Sequence, residues 1–171
     1  MKWKTFFYYL SLLHALQMTI AMSLSFILGE LLAEKYQLGS PLIAGLWSGI
    51  SAAVVSDSNI AYTYKAALKR FVGSLYGSVV AGLFSTLFGY DFWVLLLSFF
   101  TVIVLISISQ LHFAVGLAAA TVLVIIAVGP SQTNLAPWLN ATTRFLESAL
   151  GILIAIFFSW LFHPIRKRLI N

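Results

Sequence analysis

No cysteine occurs anywhere in the chain, which excludes disulfides, thiolate metal sites and a cysteine nucleophile together. Charge is scarce as well: 9% of the 171 residues are charged, and only five are acidic. Soluble domains carry about 25% charged residues, so this chain cannot make a water-facing surface over its length. Paired aspartates, histidines at metal-ligand spacing and a phosphate-binding glycine loop are all missing. We therefore expect no catalytic residue, no metal site and no cofactor.

What is present is apolar. Hydrophobic residues make up 61% of the sequence, aromatic residues 15%, and the mean hydropathy is +0.97. The chain reads as an integral membrane protein lying almost wholly in the lipid bilayer, with no room for a soluble catalytic or sensor domain. The net charge of +5 does not imply nucleic acid, because the basic residues flank apolar runs, where membrane orientation accounts for them. Met1-Lys2-Trp3-Lys4 is like a signal-peptide start. The apolar run after it is too long for one and ends in no Ala-x-Ala site, so a retained first helix is expected.

A bilayer-crossing helix needs about 17–25 mainly apolar residues. Six runs qualify or nearly do: about Phe7–Leu32, Pro41–Val55, Phe71–Phe88, Phe92–Ile108, Phe113–Val128 and Phe145–Phe162. The second is short and rich in small residues. Pro41 is placed to open it. Ser56-Asp57-Ser58-Asn59 is an N-cap cluster, so the third helix is expected to begin before its apolar part. Gly89-Tyr90-Asp91 makes a turn, Gly129-Pro130-Ser131-Gln132 closes the fifth span, and the polar segment from Thr133 to Thr143 is placed at the interface. His163-Pro164 is expected to stop the sixth. The fold class is thus an all-α membrane protein of six transmembrane helices in a single domain, residues 1–171.

Six crossings put both termini on one side. Of the ten lysines and arginines, Lys2, Lys4, Lys65, Lys69, Arg70, Arg166, Lys167 and Arg168 fall there, and only Lys35 and Arg144 fall opposite. The positive-inside rule then makes both termini cytoplasmic. Trp3, Tyr36, Tyr90, Trp93 and Trp138 suit an interfacial aromatic belt.

One stretch recurs. Lys65 to Arg70 forms a cationic approach to Arg70-Phe71-x-x-Ser74-x-x-Gly77, and Arg144-Phe145-x-x-Ser148-x-x-Gly151 repeats it. Ser85-x-Leu87-Phe88 is likewise matched by Ser159-x-Leu161-Phe162. Three spans per half is an odd number, so the halves would be inverted, giving a 3+3 inverted repeat with a site between them.

An ionisable residue inside a membrane is a functional candidate. Arg70, read as about one turn inside the third helix, would draw a carboxylate to the cytoplasmic entrance with Lys65 and Lys69. The ordinary alternative is an interfacial arginine reaching for headgroups. Gly73, Ser74 and Gly77 allow close backbone approach, and Tyr76, with Tyr62, Tyr64 and Phe71, would contact a ring. Arg144 and Glu147, three apart, can pair as a structural ion pair or as a charged gate. Glu147, Glu30 and His14 are the proton-coupling candidates. His14, Met18, Met22, Ser25 and Gly29 form a mildly polar stripe that either lines a path or packs helices. Gly45-Leu46-Trp47-Ser48-Gly49 is faintly like a serine-protease turn, but its spacing is wrong and no suitable histidine follows, so an enzyme is not expected.

On Arg70, Gly73, Ser74 and Gly77, and on Arg144, Glu147 and Gly151, the chain resembles the fusaric acid resistance/aromatic acid exporter family of bacterial inner-membrane proteins. The patterns are Arg-x-x-Gly-[Ser/Thr]-x-x-Gly and Arg-x-x-Glu-x-x-x-Gly, each opening a helix. The resemblance covers all six spans. It implies export of organic anions, aromatic carboxylates above all, across the bacterial inner membrane, with proton coupling as a possibility the acids leave open. Fuller relatives add a cytoplasmic helical domain and often double the six-span unit. This chain reads as a half-size form, for which the resemblance implies a homodimer; a periplasmic adaptor is left unknown. Two alternatives stand beside export: a passive anion channel of the related six-helix dimeric plan, and a small accessory membrane subunit.

Overall fold

The computed structural model describes residues 3–131 and 135–170, with side chains over 11–131 and 135–168. Lys2, Gln132 and Thr133, and the side chains of Trp3 and Lys4, lie outside what is described. Six α-helices follow one another: α1 (Trp3–Tyr36), α2 (Pro41–Val55), α3 (Ile60–Phe88), α4 (Phe92–Ile108), α5 (Val115–Val128) and α6 (Pro137–Ile170). Single 3-10 turns, His112–Ala114 and Gly129–Ser131, flank α5. Four segments are long and apolar enough to cross a membrane: Ser11–Tyr36, Ile60–Phe88, His112–Ser131 and Pro137–Arg168. The other two helices are shorter. At ~1.5 Å per residue, the 15 residues of α2 reach only about 22 Å, less than a hydrocarbon core of roughly 30 Å.

The packing contacts fix the helix directions. Between α1 and α2, Gly49 sits against Met22 and Gly45 against Phe26 and Glu30, while Gly29 sits against Ala44 and Ser48. Rising numbers on one helix meet falling numbers on the other, so the pair is antiparallel. Gly82 meets Ala141, Ser74 meets Ser148 and Thr63 meets Ser159, so α3 and α6 are antiparallel too. By contrast, Gly73 abuts Leu117 and Gly77 abuts Thr121, which makes α3 and α5 parallel. Trp47 meets Arg144, Ser51 meets Ser148 and Ala52 meets Gly151, so α2 and α6 are parallel. After the turn at Gly89, whose φ is +82°, α4 runs back until Ser109 reaches the Tyr76 hydroxyl of α3 at 3.0 Å. α2 thus brings the chain back to the start of α3, where Asp57 N donates to Thr63 Oγ1, and α4 brings it back to the level of Tyr76, midway along α3.

Local chemistry accounts for the boundaries. Asn59 caps α3, its side chain accepting from Ala61 N at 2.9 Å, and Asp57 Oδ1 accepts from Asn59 N at 2.7 Å. The cap cluster therefore starts α3 well before the apolar run that begins at Phe71. This moves Arg70 from the expected one turn to about three turns inside the helix, which starts at Ile60. The expectation that His163-Pro164 ends the last helix is corrected: α6 continues through Pro164 to Ile170. Proline removes the N–H that would bond one turn back and crowds that turn. The helix is held across this defect because Arg166 is anchored to the Gln17 Oε1 of α1 and to the backbone oxygen of Ser58. The other end of α6 also runs further than expected, since Pro137 to Thr143 are helical.

Candidate functional site

Lengthening α3 puts Arg70 in the middle of the bundle, where its side chain is only 2% exposed. No carboxylate pairs with it among the described residues. Its Nε donates to Ser148 Oγ at 3.0 Å and to Ser51 Oγ at 3.2 Å, and its Nη2 donates to Ser51 Oγ at 3.0 Å. The guanidinium lies over the Trp47 ring, 4.6 Å from its centroid. A desolvated contact of that kind contributes about 2 kcal/mol. Three helices make this cradle, Trp47 and Ser51 from α2, Arg70 and Ser74 from α3, and Ser148 from α6. Its hydroxyls are joined, with Ser74 Oγ 2.7 Å from Ser148 Oγ and Ser51 Oγ donating to Trp47 O at 2.8 Å. Serine suits the position because it is small enough for close helix approach and still presents a donor and an acceptor.

The second arginine sits beside the first cradle. Arg144 is fully buried, and its backbone oxygen accepts from Trp47 Nε1 at 3.0 Å. Its Nη2 is 2.9 Å from Glu147 Oε1. The two meet as charges and not along a hydrogen-bond line. The Nε and Nη1 of Arg144 and both oxygens of Glu147 find no hydrogen-bond partner among the described residues. One tryptophan thus touches both arginines, by its face and by its N–H. Trp47 was not singled out from the sequence as a site residue. A large aromatic amid the small residues of α2 was the available signal.

The remaining candidates divide. Gly73 and Gly77 press on α5, where added Cβ atoms would come within 2.6 Å of Leu117 and Thr121; they hold α3 against α5 and do not face Arg70's cradle. Lys65 and Lys69 are exposed, turned away from it. Tyr76 bonds to Ser109 at the end of α4, again apart from the arginine. Phe71 stacks edge-on with Phe145, centroids 5.4 Å apart. Glu30 lies over Gly45, in the α1–α2 seam. The polar stripe on α1 divides as well: Ser25 Oγ donates to Ser48 O at 3.1 Å, Gly29 packs on Ala44 and Met22 is exposed. These are contacts of helix packing. His14 Nδ1 is buried with no partner among the described residues, and Gln17, one turn on, is fully buried.

Gln17 belongs to a second polar cluster, at the α2–α3 loop. Its Nε2 donates to Ser159 Oγ at 3.4 Å, and Thr63 Oγ1 is 2.8 Å from the same hydroxyl. Ser159 also donates to Asp57 O at 3.4 Å, while Arg166 reaches Asp57 O at 3.5 Å. This cluster ties α1, the α2–α3 loop, α3 and α6 together at one end of the bundle.

Against known proteins, the family model described as fusaric acid resistance protein-like matches residues 20–158. That is most of the chain, including both arginine motifs, and the chain belongs to that family, one of membrane transport and efflux proteins. No curated protein and no solved structure matches.

Proposed function

We propose that this member of the family exports small organic anions, aromatic carboxylates foremost, across the bacterial inner membrane, with Arg70 as the central anion site. The observation that carries the reading is Arg70 itself, buried, bonded to neutral serine hydroxyls and unpaired with any acid among the described residues. A desolvated cation without a counter-ion is costly, and an arginine fork suits a carboxylate. The serines and Trp47 hold the fork while leaving its charge uncompensated. Lys65 and Lys69, exposed on the same helix, would raise the anion concentration near the entrance. Both termini are taken as cytoplasmic on the positive-inside rule, and the homodimer rests on the resemblance of the sequence to the exporters.

The 3+3 inverted repeat is part of the same proposal. Equivalent residues of the two motifs lie together, Ser74 with Ser148 and Phe71 with Phe145. Gly77 of α3 seats on α5 as Gly151 of α6 seats on α2, a reciprocal arrangement that a two-fold relation between halves would produce.

The test is uptake of aromatic and aliphatic carboxylates into proteoliposomes, with and without a pH gradient, for wild type and Arg70→Ala. Gradient-driven flux that collapses in the variant supports the exporter. Flux driven by voltage alone assigns a passive channel using the same arginine. No flux from folded, inserted protein assigns the accessory subunit.

A further inference from the structure

Along the seam of α3 and α6 lies a groove of about 240 Å³. The helices come close there, since a Cβ at Gly82 would stand 2.8 Å from that of Ala141, and both residues line the groove. Val79, Leu83 and Trp138 also line it and are exposed, so in a bilayer the groove opens sideways to lipid. No ionisable residue lines it among the described residues. Two lining residues carry hydroxyls, and they differ. Thr142 Oγ1 donates to Trp138 O at 2.9 Å. Ser78, only 6% exposed, has no hydrogen-bond partner for its Oγ among the described residues. A helical serine or threonine can satisfy itself on the carbonyl one turn back, as Ser51, Ser56 and Thr121 do. Ser78 does not, and an unmet buried hydroxyl beside a groove calls for a partner from outside the chain.

The groove is also one-sided. The offset of 74 between the two arginine motifs sets Ser78 and Gly82 against Ile152 and Ile156. At those positions the seam is filled: Ile152 is buried in a cluster with Ala52, Ala67 and Ala155, and Ile156 packs on it. Small residues at 78 and 82, where the other half has isoleucines, leave the groove open.

We propose that this groove is a lateral binding site for a small neutral aromatic molecule dissolved in the bilayer, a phenol in type, whose ring packs against Trp138 and Phe145 and whose hydroxyl bonds to Ser78. Both rings line the groove. With no cation in its wall, a carboxylate would lose its hydration there without compensation, whereas a neutral hydroxyl needs one partner and finds Ser78. The volume lies below the roughly 300 Å³ at which sites for drug-sized ligands begin, which suits a single ring. The site does not depend on Arg70 and stands apart from the anion reading.

The test is saturation binding of radiolabelled phenol, toluene and benzoate to the full chain in nanodiscs near neutral pH, where a phenol is uncharged. Empty nanodiscs give the lipid background. Wild type is expected to bind phenol saturably and about fivefold tighter than toluene, the worth of one hydrogen bond. Ser78→Ala, which breaks no bond of the fold, should bring phenol down to toluene and leave toluene unchanged. Val79→Trp should fill the groove and abolish saturable binding of both; should it fail to fold, Leu83→Trp takes its place. Phenol binding no greater than that of empty nanodiscs overturns the site as plain partition into lipid. Equal affinity for phenol and toluene in wild type would make the groove a seat for any apolar chain, lipid included, and overturns the ligand class. A phenol preference that survives Ser78→Ala overturns the role of the hydroxyl and the site with it. Benzoate binding should be untouched by Val79→Trp; its loss together with phenol would place an anion in the groove and sink the proposal, while benzoate binding that depends on Arg70 alone bears only on the anion reading.

Discussion

Ser74 and Ser148 hold their hydroxyls 2.7 Å apart across 74 positions of sequence. The same interval separates Arg70 from Arg144 and Phe71 from Phe145 in the recurring motif. The two copies of that motif are packed on each other through this hydroxyl pair and through the Phe71 and Phe145 rings, with Arg70 donating to Ser148.

Removing that hydroxyl contact should be measurable. Ser148→Ala takes away a partner of Arg70, Ser51 and Ser74 together, and a polar contact between membrane helices contributes about 1–2 kcal/mol. Ser74→Ala should cost less, since Ser74 does not touch the arginine. Thermal unfolding of the two single variants and the double variant in detergent should show coupling of about 0.5–3 kcal/mol; strict additivity would mean that the hydroxyls do not act together.

Trp47 acts in two ways, and substitution can separate them. Trp47→Phe keeps a ring face under Arg70 but loses the N–H that holds the Arg144 carbonyl. Trp47→Leu loses both. Carboxylate affinity should fall in steps, with the larger part lost in Trp47→Leu if the cation–π contact, worth about 2 kcal/mol when desolvated, positions the guanidinium. Equal loss in both variants would assign the effect to the indole N–H.

The glycines predict where side chains are tolerated. A Cβ at Gly151 would press on Ser48, Ser51 and Ala52, whereas one at Gly116 would meet nothing within 4 Å. Gly151→Val should lower stability by about 1–3 kcal/mol or prevent folding, as overpacking does, and Gly116→Ala should be neutral. Monodispersity by size-exclusion chromatography and melting temperature read both.

Arg166 is expected to hold the last turns of α6. Arg166→Met removes the bonds to Gln17, Asp57 and Ser58 beyond a proline that already lacks its N–H. Hydrogen exchange over residues 163–168 should rise several-fold while exchange around Ser148 is unchanged. Unaltered exchange near the terminus would show that the helix persists there without the anchor.

The absence of cysteine makes orientation directly testable. Lys65→Cys and Lys35→Cys, each exposed, should react with an impermeant thiol reagent from opposite sides of sealed vesicles, Lys65→Cys from the cytoplasmic side. Labelling of both from one side would refute the six-crossing topology.

Composition alone was enough to determine a membrane protein of apolar helices, because too few charges exist to face water. The turns at Pro41, Gly89 and Asp91 placed α2 and α4 at the residues observed, since caps and breakers act within a few positions of themselves. Family membership was likewise legible in the two arginine motifs. The length of α6 was not. Whether Pro164 ends a helix depends on Arg166 finding partners on α1 and the α2–α3 loop, and no local signal carries that. Nor could spacing say which polar residues meet. Gly73, Ser74 and Tyr76 are neighbours in sequence, but a helix turns about 100° per residue, so one faces α5, one faces Ser148 and one faces the end of α4. Arg70 has Trp47 and Ser148 as neighbours only because α2 and α6 run parallel on one side of α3. That depends on which helix faces press together, and only the folded bundle decides it.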